Sequence, residues 1–220
     1  MNKLRIRFSK TGRAVYISHL DLMHTMQRAI SRAGFSLKYS EGYNPHPQIS
    51  IALPLSVGMS SRCEIMDIKL NEDAGTDQFC ERINPALPEG LHVDEVYEPE
   101  EKSSAITWLK VRGEFEYDVL DVAVVLPKLK CFFERDSIVV PKKSKRGLTD
   151  ADIKPMIREI SFTSEAEGLV IMEAVISALE PTLNPELITA ALRTLSPDIA
   201  PDFSSFERIE IYRQDMSLFR

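Results

Sequence analysis

The segment KLRIRFSKTGRAVYISHLDLMHTMQRAISRA, residues 3–33, holds a strand pattern that leads into a helix pattern. In its first part, Leu4, Ile6 and Phe8 alternate with basic residues, which is the period of a strand with one buried face. Apolar side chains then recur at three- and four-residue spacing behind a Ser-x-x-Asp capping signal. The segment therefore predicts a strand and, from about residue 19 to 33, a helix.

The remainder of the first half continues in short apolar stretches. Strand patterns cover 48–53, 63–70 and 91–96, and a weaker helix pattern covers 76–84. The predicted order is β-α-β-β-α-β, which is the ferredoxin-like split βαβ plan.

An acidic segment with Pro and Ser at 99–104 is typical of a linker and predicts two domains, 1–98 and 105–220. The second half repeats the same order with a short extra strand or hairpin, and its apolar stretch 118–133 would be kinked by Pro127 if it is helical. We therefore expect an α+β fold of two tandem ferredoxin-like (βαββαβ) units with antiparallel sheets. The duplication depends on element order alone, because no residue-level repeat is visible.

The composition bounds the function. With 27 Lys and Arg against 33 Asp and Glu, the net charge is -6, so nucleic-acid binding would need a local basic patch. No apolar run approaches the roughly 20 residues of a membrane span, and the N-terminus lacks the apolar core of a signal peptide. We expect a cytoplasmic protein without a membrane partner. The three cysteines lack cluster spacing, so we expect no metal and no cofactor.

The loop after the first helix concentrates unusual chemistry. It combines two aromatic rings, an imidazole, a carboxylate and turn formers, and such loops often carry binding residues. A rigid turn that Pro45 and Pro47 hold in place explains the same residues equally well. The candidate binding residues of this loop are Tyr39, Ser40, Glu41, Tyr43, Asn44 and His46.

The polar face of the first helix is the second candidate. A solvated face explains it, but the following loop could fold back over it and bring Asp21, Arg28, Glu41 and His46 together. The candidate residues on this helix are His19, Asp21, Arg28 and Arg32. A metal site is disfavoured because His19 and His24 are five residues apart and do not share a helix face.

A basic run in the second half is the third candidate, and it comprises Lys142, Lys143, Lys145 and Arg146. Nearby carboxylates offset its charge, which favours a solvated loop over a phosphate-binding one. Nucleotide-binding, zinc-protease and hydrolase motifs are absent from the sequence.

The stretches FSKTGRAVYISHLDLMHTMQRAISRAG at 8–34 and YSEGYNPHPQISIALPLSVGMSSRCEIMDIKL at 39–70 resemble the radical SAM-linked protein family. Members of this bacterial family of unknown function are encoded beside radical SAM proteins or fused to them. The resemblance implies a radical SAM protein as partner, and it implies no reaction. Because the chain lacks the three-cysteine cluster motif, it would serve a separate enzyme as an accessory.

Three functions stay open at this point. In the favoured one, the chain is a non-catalytic partner or substrate-presenting subunit that binds tRNA or another RNA. Arg28, Arg32 and the basic run would contact phosphates. The bases would be stacked on or hydrogen-bonded by Tyr39, Tyr43 and His46. The second is a metal-independent ribonuclease-like or transferase enzyme that uses His19 or His46 as general base or acid and Glu41 or Asp21 as the orienting carboxylate. The third is a structural protein adaptor that docks through the loop.

Overall fold

The computed structural model describes residues 2–144 and 147–220, with the backbone alone at 142–144 and 148. The chain divides into two compact units. The first unit runs to Ala105 and includes Arg220, and the second is Ile106–Phe219. The boundary follows the predicted linker directly, whereas the ability of each unit to fold as a domain stays a prediction.

Within the described residues, the first unit contains two α-helices and four β-strands, which are β1 (Lys3–Lys10), α1 (His19–Arg32), β2 (Ile49–Ala52), β3 (Ser60–Lys69), α2 (Thr76–Ile83) and β4 (Leu91–Tyr97). Its strands pair in an antiparallel manner in the order β4-β1-β3-β2. The helix start is confirmed, because the Ser18 hydroxyl oxygen accepts a 3.2 Å hydrogen bond from the Asp21 N–H.

The core of the first unit follows from the alternation in β1. Leu4, Ile6 and Phe8 are completely buried and belong to one apolar cluster with Met26 and Ile30 of α1. Burial of each such side chain stabilises the fold by about 1.5–3 kcal/mol. The basic residues between them are therefore left on the opposite face of the sheet.

Strand β2 is shorter than the predicted 48–53, and both ends have a local cause. The Gln48 N–H donates to the Lys38 carbonyl at 2.7 Å, so Gln48 belongs to the preceding loop. Leu53 has a φ of 52°, which ends the extended backbone before Pro54.

The described part of the second unit contains two α-helices and six β-strands, which are β5 (Trp108–Glu116), α3 (Val122–Phe133), β6 (Val139–Ser144), β7 (Gly147–Asp152), β8 (Ile157–Ala166), β9 (Leu169–Ser177), α4 (Glu186–Leu195) and β10 (Phe203–Tyr212). The main sheet of this unit is antiparallel in the order β10-β5-β9-β8. Strands β6 and β7 pair as a hairpin of their own. The predicted extra strand thus takes the hairpin form.

The apolar stretch 118–133 proves to be helical only from Val122 onward. Asp121 caps α3 by accepting the Ala123 N–H on its carboxylate at 2.8 Å, and Pro127 lies inside the helix. A carboxylate N-cap stabilises a helix by typically about 1 kcal/mol.

The two units together confirm a mixed α+β fold with antiparallel strands. That each unit is ferredoxin-like stays a prediction. Of the helices within the described ranges, none has the length and apolar character needed to cross a bilayer.

Candidate functional site

The loop between α1 and β2 is closed by its own residues Ser40 and His46. The Ser40 hydroxyl lies 2.9 Å from His46 Nδ1 and accepts the His46 N–H at 3.1 Å. The Ser40 N–H donates to the His46 carbonyl at 2.9 Å. These three bonds close the mouth of the loop, so residues 41–45 form an exposed tip, and Gly42 turns the chain with a φ of 129°.

The base of this loop is hydrogen-bonded to the end of β3. The Lys38 N–H donates to the Lys69 carbonyl at 2.7 Å, and the Lys69 N–H donates to the Gln48 carbonyl at 3.0 Å. Beyond this base, Tyr39 is 54% exposed and Tyr43 is fully exposed. The loop therefore presents two aromatic rings to solvent from a backbone-anchored base.

Three lysines lie at neighbouring backbone positions at the base of the loop. Lys3 stands directly opposite Lys69 in the β1–β3 register, and the backbone of Lys38 is bonded to that of Lys69. Like charges that face each other across a pair of strands are destabilising. In the part of the chain that the structure describes, none of the three lysines has an ion-pair partner. Their positive potential is therefore available to an anion.

A groove of about 500 Å³ lies beside the loop. Its lining consists of Lys3, His46, Pro47, Gln48, Ile49, Ser50, Asp67, Ile68 and Lys69. Asp67 is the carboxylate among them, and it is engaged by Arg5 through two contacts of 2.7 and 2.9 Å. The remaining charges of the groove are those of its lysines.

Arg5 has a structural role rather than a binding one. Its side chain is completely buried and, besides Asp67, donates to the carbonyls of Glu101 at 2.8 Å and Arg220 at 3.2 Å. A buried guanidinium needs such partners to offset its desolvation. Arg5 therefore stabilises the sheet beneath the groove and is not accessible to a ligand.

The helix-face candidates begin at the other end of β1. The Lys10 ammonium donates to the carbonyls of Val15 and Ile17, both at 3.2 Å, which places the chain just before α1 at the Lys10 end of the strand. The loop base is at the Lys3 end, roughly 23 Å away at about 3.3 Å per residue.

Asp21 is occupied as a helix cap, because its carboxylate accepts the Ser18 hydroxyl at 2.7 Å. Asp21 therefore does not join His46 in the shared site of Asp21, Arg28, Glu41 and His46 that the sequence suggested. Arg28 is exposed on α1, and Arg32 Nη2 donates to the Ala86 carbonyl at 2.6 Å.

The surroundings of the histidines bear on the enzyme hypothesis, which stays a prediction. His46 Nδ1 contacts the Ser40 hydroxyl and, at 3.5 Å, the Asn44 carbonyl, so a neutral hydroxyl and a backbone group orient the ring. Among the described side chains, no carboxylate is hydrogen-bonded to either His19 or His46. The enzyme hypothesis assigned the orienting role to a carboxylate, Glu41 or Asp21. Within the same residues, no group of three or more metal-ligating side chains gathers.

The basic run begins in the β6–β7 hairpin. The backbones of Lys142 and Lys143 lie in β6, opposite Thr149 and Leu148 of β7. Lys145 and Arg146 lie outside the described residues. A phosphate-binding role for this run stays a prediction.

The lysines at the loop base were not anticipated from sequence. Lys3 fitted the solvent side of an ordinary strand, and Lys38 and Lys69 stood in unrelated segments. Their proximity depends on the β1–β3 register and on the bond between Lys38 and Lys69, which local patterns do not encode.

The protein has an α+β fold of two units, each with antiparallel strands. The first unit carries a loop with two exposed tyrosines, beside lysines that have no ion-pair partner among the described residues. A family described as "Uncharacterized protein conserved in bacteria" (DUF2344) matches residues 3–185. The chain belongs to that family. Comparison with curated proteins finds no match.

Solved structures that are similar at low identity include the following two. A chain in the crystal structure of a Cbf5-Nop10-Gar1 complex has a TM-score of 0.52 and 11% identity, over 96% of this chain and 50% of that chain. This chain thus spans about half of that one, and the likeness concerns the fold alone. The crystal structure of an unknown protein from Galdieria sulphuraria has a TM-score of 0.27 and 11% identity, over 94% and 98% of the two chains, and supports no argument.

Proposed function

We propose that this chain is a non-catalytic RNA-binding accessory protein. Its contact surface, here called the loop surface, comprises the loop 38–48 together with Lys3 and Lys69. The observation that carries the proposal is the presence of two exposed tyrosines beside three lysines that lack ion-pair partners among the described residues. Proteins that bind single-stranded nucleic acid combine these two elements, cations for the backbone and aromatic faces for the bases.

The overall acidity of the chain does not oppose this function. Charges act within a Debye length of about 8 Å at physiological salt, so a phosphate at the loop surface responds mainly to the nearest lysines. The carboxylate that lines the groove, Asp67, is already neutralised by Arg5.

The form of the loop surface favours unpaired RNA. Exposed tyrosines, Tyr43 at the tip of the loop and Tyr39 before the Ser40–His46 closure, can reach bases that are already unstacked, as in tRNA loops and single-stranded ends, whereas the bases of a duplex are stacked and inaccessible. The adjacent groove of about 500 Å³ is in the range of pockets that hold a small molecule, and it is large enough to admit a single flipped-out nucleotide.

The resemblance to the radical SAM-linked family extends the proposal. In this extension, each unit is a ferredoxin-like module and the bound RNA is presented to a separate radical SAM enzyme. Co-purification of that enzyme from a bacterial lysate, dependent on added RNA, would support the extension. Co-purification without RNA and unaffected by changes at the loop surface would favour the adaptor function instead.

The decisive experiment is a fluorescence anisotropy titration of the full chain with total bacterial tRNA and with labelled single strands at several salt concentrations. We expect saturable binding that weakens steeply as salt rises. Absence of saturable binding at low salt would overturn the proposal and leave the adaptor function as the better hypothesis.

A further variant tests the basic run, with Lys142, Lys143, Lys145 and Arg146 replaced by Ala. If these residues contact phosphates of a single strand, the salt slope should fall by roughly 0.7 of a unit for each lost contact. An unchanged salt slope would show that the basic run does not contact phosphates. The residues of the loop surface would then be the first candidates for those contacts.

A further inference from the structure

A second groove, here called the acidic groove, lies in the second unit between the β5–α3 connection and the β8–β9 turn, and its volume is about 510 Å³. One wall carries Asp118, Val119, Leu120 and Asp121, and the other carries Glu167. This groove belongs to elements that the proposed RNA-binding function does not use.

The acidic groove exposes aliphatic side chains that nothing within its unit covers. Val119 is 90% exposed, and Val124 on the adjoining first turn of α3 is 55% exposed. Leu120 is 40% exposed between them. Single exposed aliphatic residues are ordinary, but several beside a concave surface are typical of an interaction site.

The charges of the groove have one sign. Among the described residues that line it, the charged side chains are Asp118, Asp121 and Glu167, which are all carboxylates. Asp121 caps α3, whereas Asp118 and Glu167 are exposed and form no ion pair within the described chain. The Asp202 carboxylate lies close by, because it accepts the Asp118 N–H at 2.8 Å.

The floor of the groove is held in place by packed backbone. The Tyr117 N–H donates to the Gly168 carbonyl at 2.8 Å, and the buried Tyr117 hydroxyl donates to the Ile199 carbonyl at 3.0 Å. Gly168 has a φ of 71°, and a Cβ there would stand 2.9 Å from the Tyr117 carbonyl oxygen. A groove whose walls are fixed before binding does not need to be ordered by its ligand.

We propose that the acidic groove is the docking site for a basic amphipathic segment of a partner protein. The apolar face of that segment covers Val119, Leu120 and Val124, and its lysines or arginines pair with Asp118 and Glu167. The one-sided charge selects this occupant, since the same carboxylates repel RNA and anionic lipid. The proposal does not depend on the RNA-binding function, because it concerns other residues in the other unit.

The test uses a labelled leucine–lysine amphipathic peptide of about four helical turns, ~14 residues, titrated into the full chain. We expect saturable binding that becomes about tenfold weaker when Val119→Ser and Val124→Ser are combined. Combining Asp118→Asn with Glu167→Gln should weaken binding similarly and flatten its salt dependence.

Matched controls come from the first unit. Val57 is exposed to the same extent as Val124, at 55%, so Val57→Ser should leave the affinity unchanged. Asp77→Asn with Glu81→Gln removes two exposed carboxylates of α2 and should also have no effect. Thermal unfolding of each variant verifies that the fold is intact.

Four results would overturn the proposal. They are absence of saturable binding, equal weakening by the control substitutions, equally tight binding of a leucine–glutamate peptide of the same length, and self-association in sedimentation that Val119→Ser abolishes. The last result would identify a second copy of the chain as the occupant.

Discussion

The loop surface and the acidic groove expose apolar side chains of different kinds beside charges of opposite sign. At the loop surface, tyrosine rings stand next to lysines, whereas in the acidic groove, valine and leucine stand next to carboxylates. The net charge of -6 describes neither region. Because screening limits each charge to its neighbourhood, the partner of each surface follows from local chemistry rather than from the total.

The kind of apolar side chain separates the two regions as clearly as the charge does. A tyrosine offers a flat face on which any base can stack, while branched aliphatic side chains pack against other aliphatic side chains. Each region therefore has charge and shape that favour the same class of partner. Substitutions that weaken the binding of one partner and leave the binding of the other unchanged would verify that the two surfaces have separate partners.

The largest effect is expected from removing the three lysines of the loop surface, Lys3, Lys38 and Lys69, by substitution with Ala. RNA affinity at physiological salt should fall by about 100-fold, which is ~3 kcal/mol. The dependence of log K on log salt should become shallower by about two units, since each lost contact with a single strand removes roughly 0.7 of a unit. Anisotropy titrations at several salt concentrations measure both quantities.

A triple variant with the same change in net charge provides the control. Lys102, Lys128 and Lys130 are all exposed and lie outside the loop surface, so their replacement by Ala should leave the slope unchanged. If both triple variants lose the same affinity, RNA responds to total charge only, and the division between the two regions does not hold.

Tyr43→Ala is expected to have the next largest effect. Loss of one stacking platform should cost about 1–3 kcal/mol of binding free energy, with no change in salt slope because stacking releases no counterions. Tyr16 is also strongly exposed, at 74%, and Tyr16→Ala should have no effect on RNA affinity. A reduced salt slope for Tyr43→Ala would show that Tyr43 acts by positioning a cation.

Part of this picture could be read from the sequence, because it depends on local signals. The alternation of Leu4, Ile6 and Phe8 predicted β1, and the capping signal at Ser18 predicted the start of α1. The tip of the loop was also identified, since its aromatic and turn-forming residues are consecutive. Such features are determined by neighbours along the chain.

The remainder depends on contacts between distant segments. Nothing near Lys3 indicates that Lys69 lies opposite it, because the register is set by the whole sheet. The expected meeting of Asp21 with His46 was not found, since local spacing does not show at which end of a strand a loop is anchored. Leu53 ended β2 early through a backbone conformation that the residue type disfavours.

Ser40→Ala should have a smaller effect, because it loosens the loop surface without removing a contact group. The substitution removes the acceptor of the His46 N–H and the neighbour of His46 Nδ1, at a cost of about 1 kcal/mol. Hydrogen exchange at the His46 amide should accelerate by about fivefold, and RNA affinity should fall to a similar or smaller extent.

Ser50 of β2 is exposed, so Ser50→Ala provides the control for this substitution. Unchanged exchange at His46 in Ser40→Ala would show that the backbone bonds alone close the loop, and that its closure does not depend on the pair of side chains.

The smallest effect is expected at Tyr97, which tests whether the sheet beneath the loop surface can change without affecting binding. Burial raises the pKa of Tyr97 to about 12, and its hydroxyl has no hydrogen-bond partner among the described residues. For a tyrosine whose pKa is raised in the folded state, the free energy of unfolding keeps its full value below about pH 10 and declines between about pH 10 and 12, because the unfolded chain ionises first. Burial lowers the pKa of Lys10 and therefore acts in the opposite direction just below pH 10.5, while Tyr117, whose pKa burial also raises, acts in the same direction as Tyr97.

Tyr97→Phe should increase the free energy of unfolding by at most about 1 kcal/mol at pH 7 and reduce the decline of that free energy between about pH 10 and 12. Urea unfolding at pH 7 and in the alkaline range measures both effects. RNA affinity in the anisotropy titration should be unchanged. A decline as steep as that of the parent protein would assign the alkaline sensitivity to Tyr117 instead.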